Sequence, residues 1–269
     1  MKYVFNNNLE SLYAIEYGAN RSKNIIKQPE NSAEQDFFDE LYRTYLAKIP
    51  DRIRDDVLLI GDYHQVADYA LDPQKPLPDL SAFHDFFLKY APIQEQIISN
   101  VQNSELVRQL NLDAFKDFIG IDPASDINII LTMFINGGFG VFNGNSNVIL
   151  GVQYDPAIAQ YGIASDTNKT IYREIAYPYV QMLTSRENLS LPNAPSDYLD
   201  ELLARAIEII FLAHIYGEDY VNSALAEQDH MNLAQARIFL SVYLENKNKV
   251  TNLQDFVNLL LENELLLKS

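Results

Sequence analysis

The sequence predicts a helix-rich α+β fold, with a small β-sheet set between an N-terminal helical layer and a C-terminal helical block. Three observations carry this. Apolar residues recur at helical spacing over both ends of the chain. A β-branched run, Ile127-Asn128-Ile129-Ile130-Leu131-Thr132-Met133-Phe134, breaks that period and reads as a buried strand. A second run, Asn147–Val152, follows after two Gly/Asn turns, Asn136-Gly137-Gly138-Phe139-Gly140 and Asn143-Gly144-Asn145.

In chain order, a helix is expected over about 35–48, with Phe38, Leu41, Tyr42 and Tyr45 on one face. Similar patterns recur near 80–90, 93–103 and 105–118. Pro73, Pro76 and Pro78 mark a loop before them. After Asp155-Pro156 helices are expected at about 170–186, 197–216, 218–228, 232–246 and 252–265. Asn193-Ala194-Pro195-Ser196 links the first two, and Ser196 or Asp197 is the candidate cap of the second. With no internal repeat and no long linker, one domain spanning 1–269 is expected. Its parts are 1–125, mainly helical; 126–155, the sheet; and 156–269, the helical block.

Composition narrows the function. A chain of 269 residues can bury roughly 70–75% of the surface it exposes when unfolded. No Cys is present, which removes disulfides, thiolate metal sites and a Cys nucleophile. The 37 acidic against 20 basic residues give a net charge of −17, which disfavours nucleic acid and anionic membrane surfaces. Apolar stretches such as Ile207–Ile215 fall short of the ~18–20 residues of a membrane span, and the start, Met1-Lys2-Tyr3-Val4-Phe5-Asn6, turns polar too soon for a signal peptide. The expectation is a soluble, cytoplasmic protein.

The four His, at 64, 84, 214 and 230, offer no pair at i,i+3 or i,i+4. His214 and Glu218 stand four apart with Gly217 between them. Packing or a surface position is the expected role for each His. There is no G-x-S-x-G, Walker loop or G-x-G-x-x-G.

Thr170-Ile171-Tyr172-Arg173-Glu174-Ile175-Ala176-Tyr177-Pro178-Tyr179 is patterned as an amphipathic helix start. Ile171, Ile175, Tyr179 and Met182 share its apolar face at 100° per residue, and Arg173, Glu174 and Tyr177 lie opposite. Arg173-Glu174-Ile175-Ala176-Tyr177 has the frame of the zincin helix H-E-x-x-H, in which two His one turn apart hold zinc and the Glu is general base. Downstream stands Asp200-Glu201-Leu202-Leu203-Ala204-Arg205-Ala206. Upstream are the two strands with their Gly-Gly-Phe-Gly turn. Asn7-Asn8-Leu9-Glu10-Ser11-Leu12 opens the chain and Leu253-Gln254-Asp255-Phe256 stands near its end. Taken in order, these segments resemble an uncharacterised family of gluzincin-type (HExxH…E) metallopeptidases over most of the chain.

The resemblance implies a zincin-like fold and a site at five positions. Glu174 stands at the general-base position. Arg173 and Tyr177 stand where the family has its two zinc histidines, and Glu201 where it has the carboxylate ligand. Arg205 falls one turn after Glu201. An Arg stays protonated and cannot ligate zinc. The resemblance thus implies a degenerate member with no metal or other cofactor, in which the Arg173 guanidinium takes the region of the metal and pairs with Glu201, with Glu174 as a further partner and the Tyr177 hydroxyl alongside. Its expected function is binding a peptide or protein partner without catalysis. Two rivals stand beside it. One is an active hydrolase with a rearranged site using Glu174, Tyr177 and a recruited His. The other is an acidic helical interaction scaffold, in which Glu201, Arg205 and Glu208 form a solvated stripe with a Glu-to-Arg i,i+4 pair.

Overall fold

A computed structural model describes residues 2–19, 32–104, 107, 110–122, 127–142, 146–155, 160–163, 167–192, 197–217, 219–230 and 234–268. The chain divides into two compact units. One comprises residues 1–109 and 126–167, the other 110–125 and 168–269. The architecture is α+β and predominantly helical. Among the described residues no helix is long and apolar enough to cross a membrane.

The first unit is built on a four-stranded sheet of β1 (Lys2–Phe5), β2 (Ile127–Thr132), β3 (Gly138–Phe142) and β4 (Ser146–Gly151), in the order β1-β2-β4-β3. β1, β2 and β4 run parallel, and β3 returns antiparallel on β4. Ile129, Ile130, Leu131, Val148, Ile149 and Leu150 are all buried, so both faces of the central strands are covered. That is why these runs are continuously apolar rather than alternating.

Two features depart from the expected pattern. β1 extends the sheet beyond 126–155, in a segment whose four residues are too few to show a period. Half of the expected glycine turn is strand β3, because Phe139 and Val141 are buried on one side while Gly138 and Gly140 alternate with them. The second expected turn, Asn143–Asn145, lies outside the described residues. Gly151 ends β4 for a steric reason. A Cβ there would run into the Ile135 carbonyl oxygen, and the Gly151 N–H donates to the Gly137 carbonyl at 2.7 Å.

Among the described residues this unit has the α-helices α1 (Asn7–Ala19), α2 (Ser32–Glu40), α3 (Asp51–Leu58), α4 (Tyr63–Leu71) and α5 (His84–Asn103). The helix expected over 35–48 changes form after Glu40. Leu41–Tyr45 is a π-helical turn, in which the Leu46 N–H reaches back to the Leu41 carbonyl. The wider turn shifts the side-chain phase. Phe38 and Leu41 remain buried, while Tyr42 turns outward. The separate patterns near 80–90 and 93–103 belong to one helix, α5. It runs through Pro92 because that residue faces solvent, where water can serve the carbonyl that loses its N–H donor.

Helix α1 starts directly after β1. Asn6 Oδ1 accepts from the Asn8 and Leu9 N–H groups, both at 3.1 Å, and so caps it. The helix is buried nearly all round, with Glu10 and Ser11 as deep as Leu9 and Leu12. β1 and β2 are parallel with Phe5 opposite Leu131, so their carboxyl ends lie together and α1 begins there. Glu10, in its first turn, therefore meets the chain leaving β2. Its Oε2 accepts from the Met133 N–H at 3.4 Å, and the Thr132 hydroxyl bonds the same carboxyl group. Burial outweighs these donors and pushes the Glu10 carboxyl up to about 8.

The second unit contains α6 (Leu112–Ile119), α7 (Thr167–Glu187), α8 (Asp197–Tyr216), α9 (Asp219–His230), α10 (Ala234–Asn246) and α11 (Leu253–Glu262). Asn111 caps α6 through the Ala114 N–H at 3.3 Å, and Gly120, at φ +77°, ends it in a left-handed turn that favours glycine. The start expected for this helix, near 105, falls partly outside the described residues, as do the linker Asn193–Ser196 and its Ser196 cap. Asp197 is the first residue of α8. Phe115, Tyr172 and Phe211, from α6, α7 and α8, pack with ring centroids 4.7–5.0 Å apart. The Tyr172 hydroxyl accepts from the Asn111 N–H at 2.9 Å.

Candidate functional site

Helix α7 places Arg173, Glu174 and Tyr177 within one turn. Its core face consists of Ile171, Tyr172, Ile175, Ala176, Val180 and Leu183, all buried. Met182, expected on that face, is 55% exposed, and Tyr179 is only half-buried. The buried stripe follows the i, i+4, i+5 and i+9 positions of a regular helix, and Met182 lies outside it. Pro178 sits inside the helix without breaking it, and its ring nitrogen cannot donate to the Glu174 carbonyl.

Helix α8 is apolar around most of its circumference, with Leu199, Leu202, Leu203, Ala206, Ile207, Ile210 and Phe211 buried. The exception is a stripe of Glu201, Arg205 and Glu208 at successive turns. Glu208 is 1% exposed. Helices α7 and α8 are tied by the Thr184 hydroxyl, which donates to Asp200 Oδ1 at 2.6 Å.

Arg173 and Glu174 form a close ion pair. Nε and Nη2 of Arg173 reach Glu174 Oε1 at 2.9 and 2.8 Å, with the side chains 19% and 11% exposed. Burial alone would lower the arginine's pKa. The fields of Glu174, Glu208 and Glu201 outweigh it and raise the pKa further above its ordinary value. Arg205 Nη1 lies 3.5 Å from Glu208 Oε2, with side chains 11% and 2% exposed. Arg173, Glu174, Glu201 and Arg205 thus gather with Glu208 as two guanidiniums among three carboxylates, without Tyr177.

Some details differ from expectation. Arg173 contacts Glu174 directly, while Glu208 and then Glu201 act on it through their fields. The ion pair on α8 joins Arg205 to Glu208 at i,i+3, in place of Glu201 to Arg205. Tyr177 is half-buried one turn beyond Arg173. Glu208 is the member that sequence reasoning undervalued. Its neighbours Ile207, Ile209 and Ile210 could have marked it as a carboxylate held inside a core helix.

Arg173 offers no metal ligand: its guanidinium remains protonated and is engaged with Glu174. Among the described residues no three His, Asp or Glu side chains converge as a ligand set. Two histidines are exposed residues that lean on aromatic neighbours. The ring of His64 lies 4.3 Å from that of Phe139, with its pKa lowered by burial, and His214 Nε2 bonds the Tyr243 hydroxyl at 2.9 Å. Glu218, its neighbour in sequence, lies outside the described residues.

No family model, no curated protein and no solved structure matches this chain.

Proposed function

We propose that this protein is a metallopeptidase-like pseudoenzyme. The Arg173 guanidinium takes the place of a catalytic metal, and the remaining scaffold binds a peptide or protein partner. The observation that supports it is the position of Arg173, two-coordinate to Glu174 and within the fields of Glu208 and Glu201 on the facing helix. Removing a cation from a buried carboxylate cluster leaves charges that are costly to desolvate, so a replacement cation restores the balance. Glu174 without a metal has nothing to lower the pKa of a water by the roughly nine units that zinc supplies. Catalysis by the metallopeptidase route is therefore lost, while a surface that recognises an extended chain can survive.

The test is to rebuild the ancestral ligand set. The double substitution Arg173→His, Tyr177→His is expected to take up about one zinc per chain, read by elemental mass spectrometry. Adding Glu201→Gln should abolish it. The unaltered protein, incubated with zinc, should retain none. Near-stoichiometric zinc in the unaltered protein, lost on Glu201→Ala, would overturn the reading. So would a folded double-His protein that binds no zinc, because the three positions would then not converge as a ligand set.

A further inference from the structure

We infer that the first unit carries a binding site for a small primary ammonium compound, with the Glu10 carboxylate as its counter-ion. A cavity of about 140 Å³ is walled by Glu10, Phe37, Tyr90, Ile97, Met133 and Tyr161. It lies where the parallel strands β1 and β2 end and α1 begins. Open parallel sheets place ligands at this carboxyl edge. Tyr161 reaches the cavity from the hairpin of β5 (Gln153–Asp155) and β6 (Gln160–Gly162). Asn100 Nδ2 of α5 holds that hairpin through the Tyr161 carbonyl at 3.2 Å.

Glu10 is 1% exposed. Its Oε2 is served by the Met133 N–H, and its Oε1 is buried without a hydrogen-bond partner. Leaving a buried carboxyl oxygen unsatisfied is costly, and a small turn of the Glu10 side chain, which lines the cavity, lets a guest there donate to Oε1 and remove that cost. The chemistry of the walls selects the donor. Among the described residues the lining contains no Lys or Arg to neutralise a carboxylate, and Gln94, also in the lining, donates to Asn7 Oδ1 at 3.3 Å. Phe37, Tyr90 and Tyr161 offer aromatic surfaces, which attract a cation through their ring faces. The Tyr90 hydroxyl is already committed to Glu40 Oε2 at 2.8 Å, so its contribution to the cavity is its ring. An anion would oppose ionisation of the Glu10 carboxyl and a purely apolar guest would leave Oε1 bare, whereas an entering ammonium takes the place of the proton that Glu10 holds near neutral pH, which passes to solvent.

Size limits the guest. An apolar hole of about 150 Å³ accommodates benzene, so this cavity suits five or six heavy atoms. Ile93, on the cavity wall and 40% exposed, marks the side open to solvent. A short alkylammonium meets these requirements: its head donates to Oε1 and its tail lies against Ile97 and Met133.

The probes are n-butylammonium and its neutral counterpart of equal length, n-butanol, titrated into the full chain near neutral pH. Binding is followed by the Ile97 and Met133 methyl NMR signals. The ammonium should bind saturably and at least about tenfold more tightly than the alcohol. Glu10→Gln, which keeps shape and hydrogen bonding, should cost the ammonium at least about tenfold and leave the alcohol unchanged. Ile93→Trp, a change at a half-exposed position, should block both. Equal affinity of the two probes for the unaltered protein would reduce the site to an apolar hole and overturn the inference. Binding of neither would leave a cavity for water alone and would overturn it as well. The comparison between probes needs no variant, so it stands even if Glu10→Gln fails to fold.

Discussion

Replacing Arg173 by Met keeps the length of the side chain and removes its charge. At 2.8 Å and an effective dielectric of about 20, the attraction between Arg173 and Glu174 is about 6 kcal/mol before desolvation. Desolvation of both groups cancels much of that in the intact pair. What the substitution exposes is the cost of leaving Glu174 and Glu208 inside the unit with one cation fewer. Deleting one partner of a buried pair costs about 3–5 kcal/mol, and the partial exposure of Arg173 and Glu174 favours the lower end. A loss of about 3 kcal/mol is therefore expected at neutral pH, measured by urea unfolding with far-ultraviolet circular dichroism. The deprived carboxylates would hold their protons to higher pH in the folded chain than in the unfolded one. The deficit should thus shrink as pH falls towards about 4–5. In a double-mutant cycle with Glu174→Gln, the two losses should fall short of additive by at least about 1 kcal/mol. A loss below about 1 kcal/mol, independent of pH, is the behaviour of a surface pair and would refute the argument.

Three other substitutions or titrations probe particular atoms. The folded chain keeps the Glu10 proton up to about pH 8, whereas the unfolded chain gives it up near 4.5, so stability should decline as pH rises through that window. The displacement is worth up to about 5 kcal/mol, and Glu10→Gln should flatten the decline; an unaltered protein equally stable at both ends of the window would contradict it. Gly151→Ala drives a Cβ into the Ile135 carbonyl and should cost about 3 kcal/mol by thermal unfolding, whereas a neutral result would mean the β2–β3 loop yields freely. Asn252 Oδ1 accepts from the Asp255 N–H at 2.9 Å, so Asn252→Ala should cost about 1 kcal/mol and Asn252→Asp should recover most of it, again by thermal unfolding.

Legibility followed the strength of local patterning. The five helices after residue 166 and the strands β2 and β4 were readable because each carries a long period or a continuous β-branched run. β1 was not, since four residues next to an Asn cap have no pattern of their own; its identity comes from pairing with β2, far away in sequence. The π turn at Leu41–Tyr45 was hidden because its composition matches an α-helix and only the hydrogen-bond partner differs. The candidate site was legible in part. The positions of Arg173, Glu174, Glu201 and Arg205 were singled out only through the resemblance, and which carboxylate each guanidinium meets depends on side-chain packing between helices. Glu10 carried a faint signal, a carboxylate within Leu9-Glu10-Ser11-Leu12-Tyr13-Ala14-Ile15. It became meaningful only once that helix proved to be buried nearly all round.

The two units answer the same electrostatic problem in opposite ways. A carboxylate inside a protein must find a cation, take hydrogen bonds or keep its proton. In the second unit Glu174 and Glu208 have found cations in Arg173 and Arg205, and that arrangement is closed: every added ligand must first break an ion pair. In the first unit Glu10 keeps its proton, has one oxygen unbonded and borders a cavity. That arrangement is open, because an entering cation has only the Glu10 proton to displace and no ion pair to break. The same type of side chain thus stabilises a fold in one place and leaves a valence for a ligand in the other. Substitution should separate the roles: changes at Arg173 should act mainly on stability, and changes at Glu10 on small-molecule affinity. If Glu10→Gln and Arg173→Met altered stability alike and neither affected a ligand, both carboxylates would be structural and the distinction would fail.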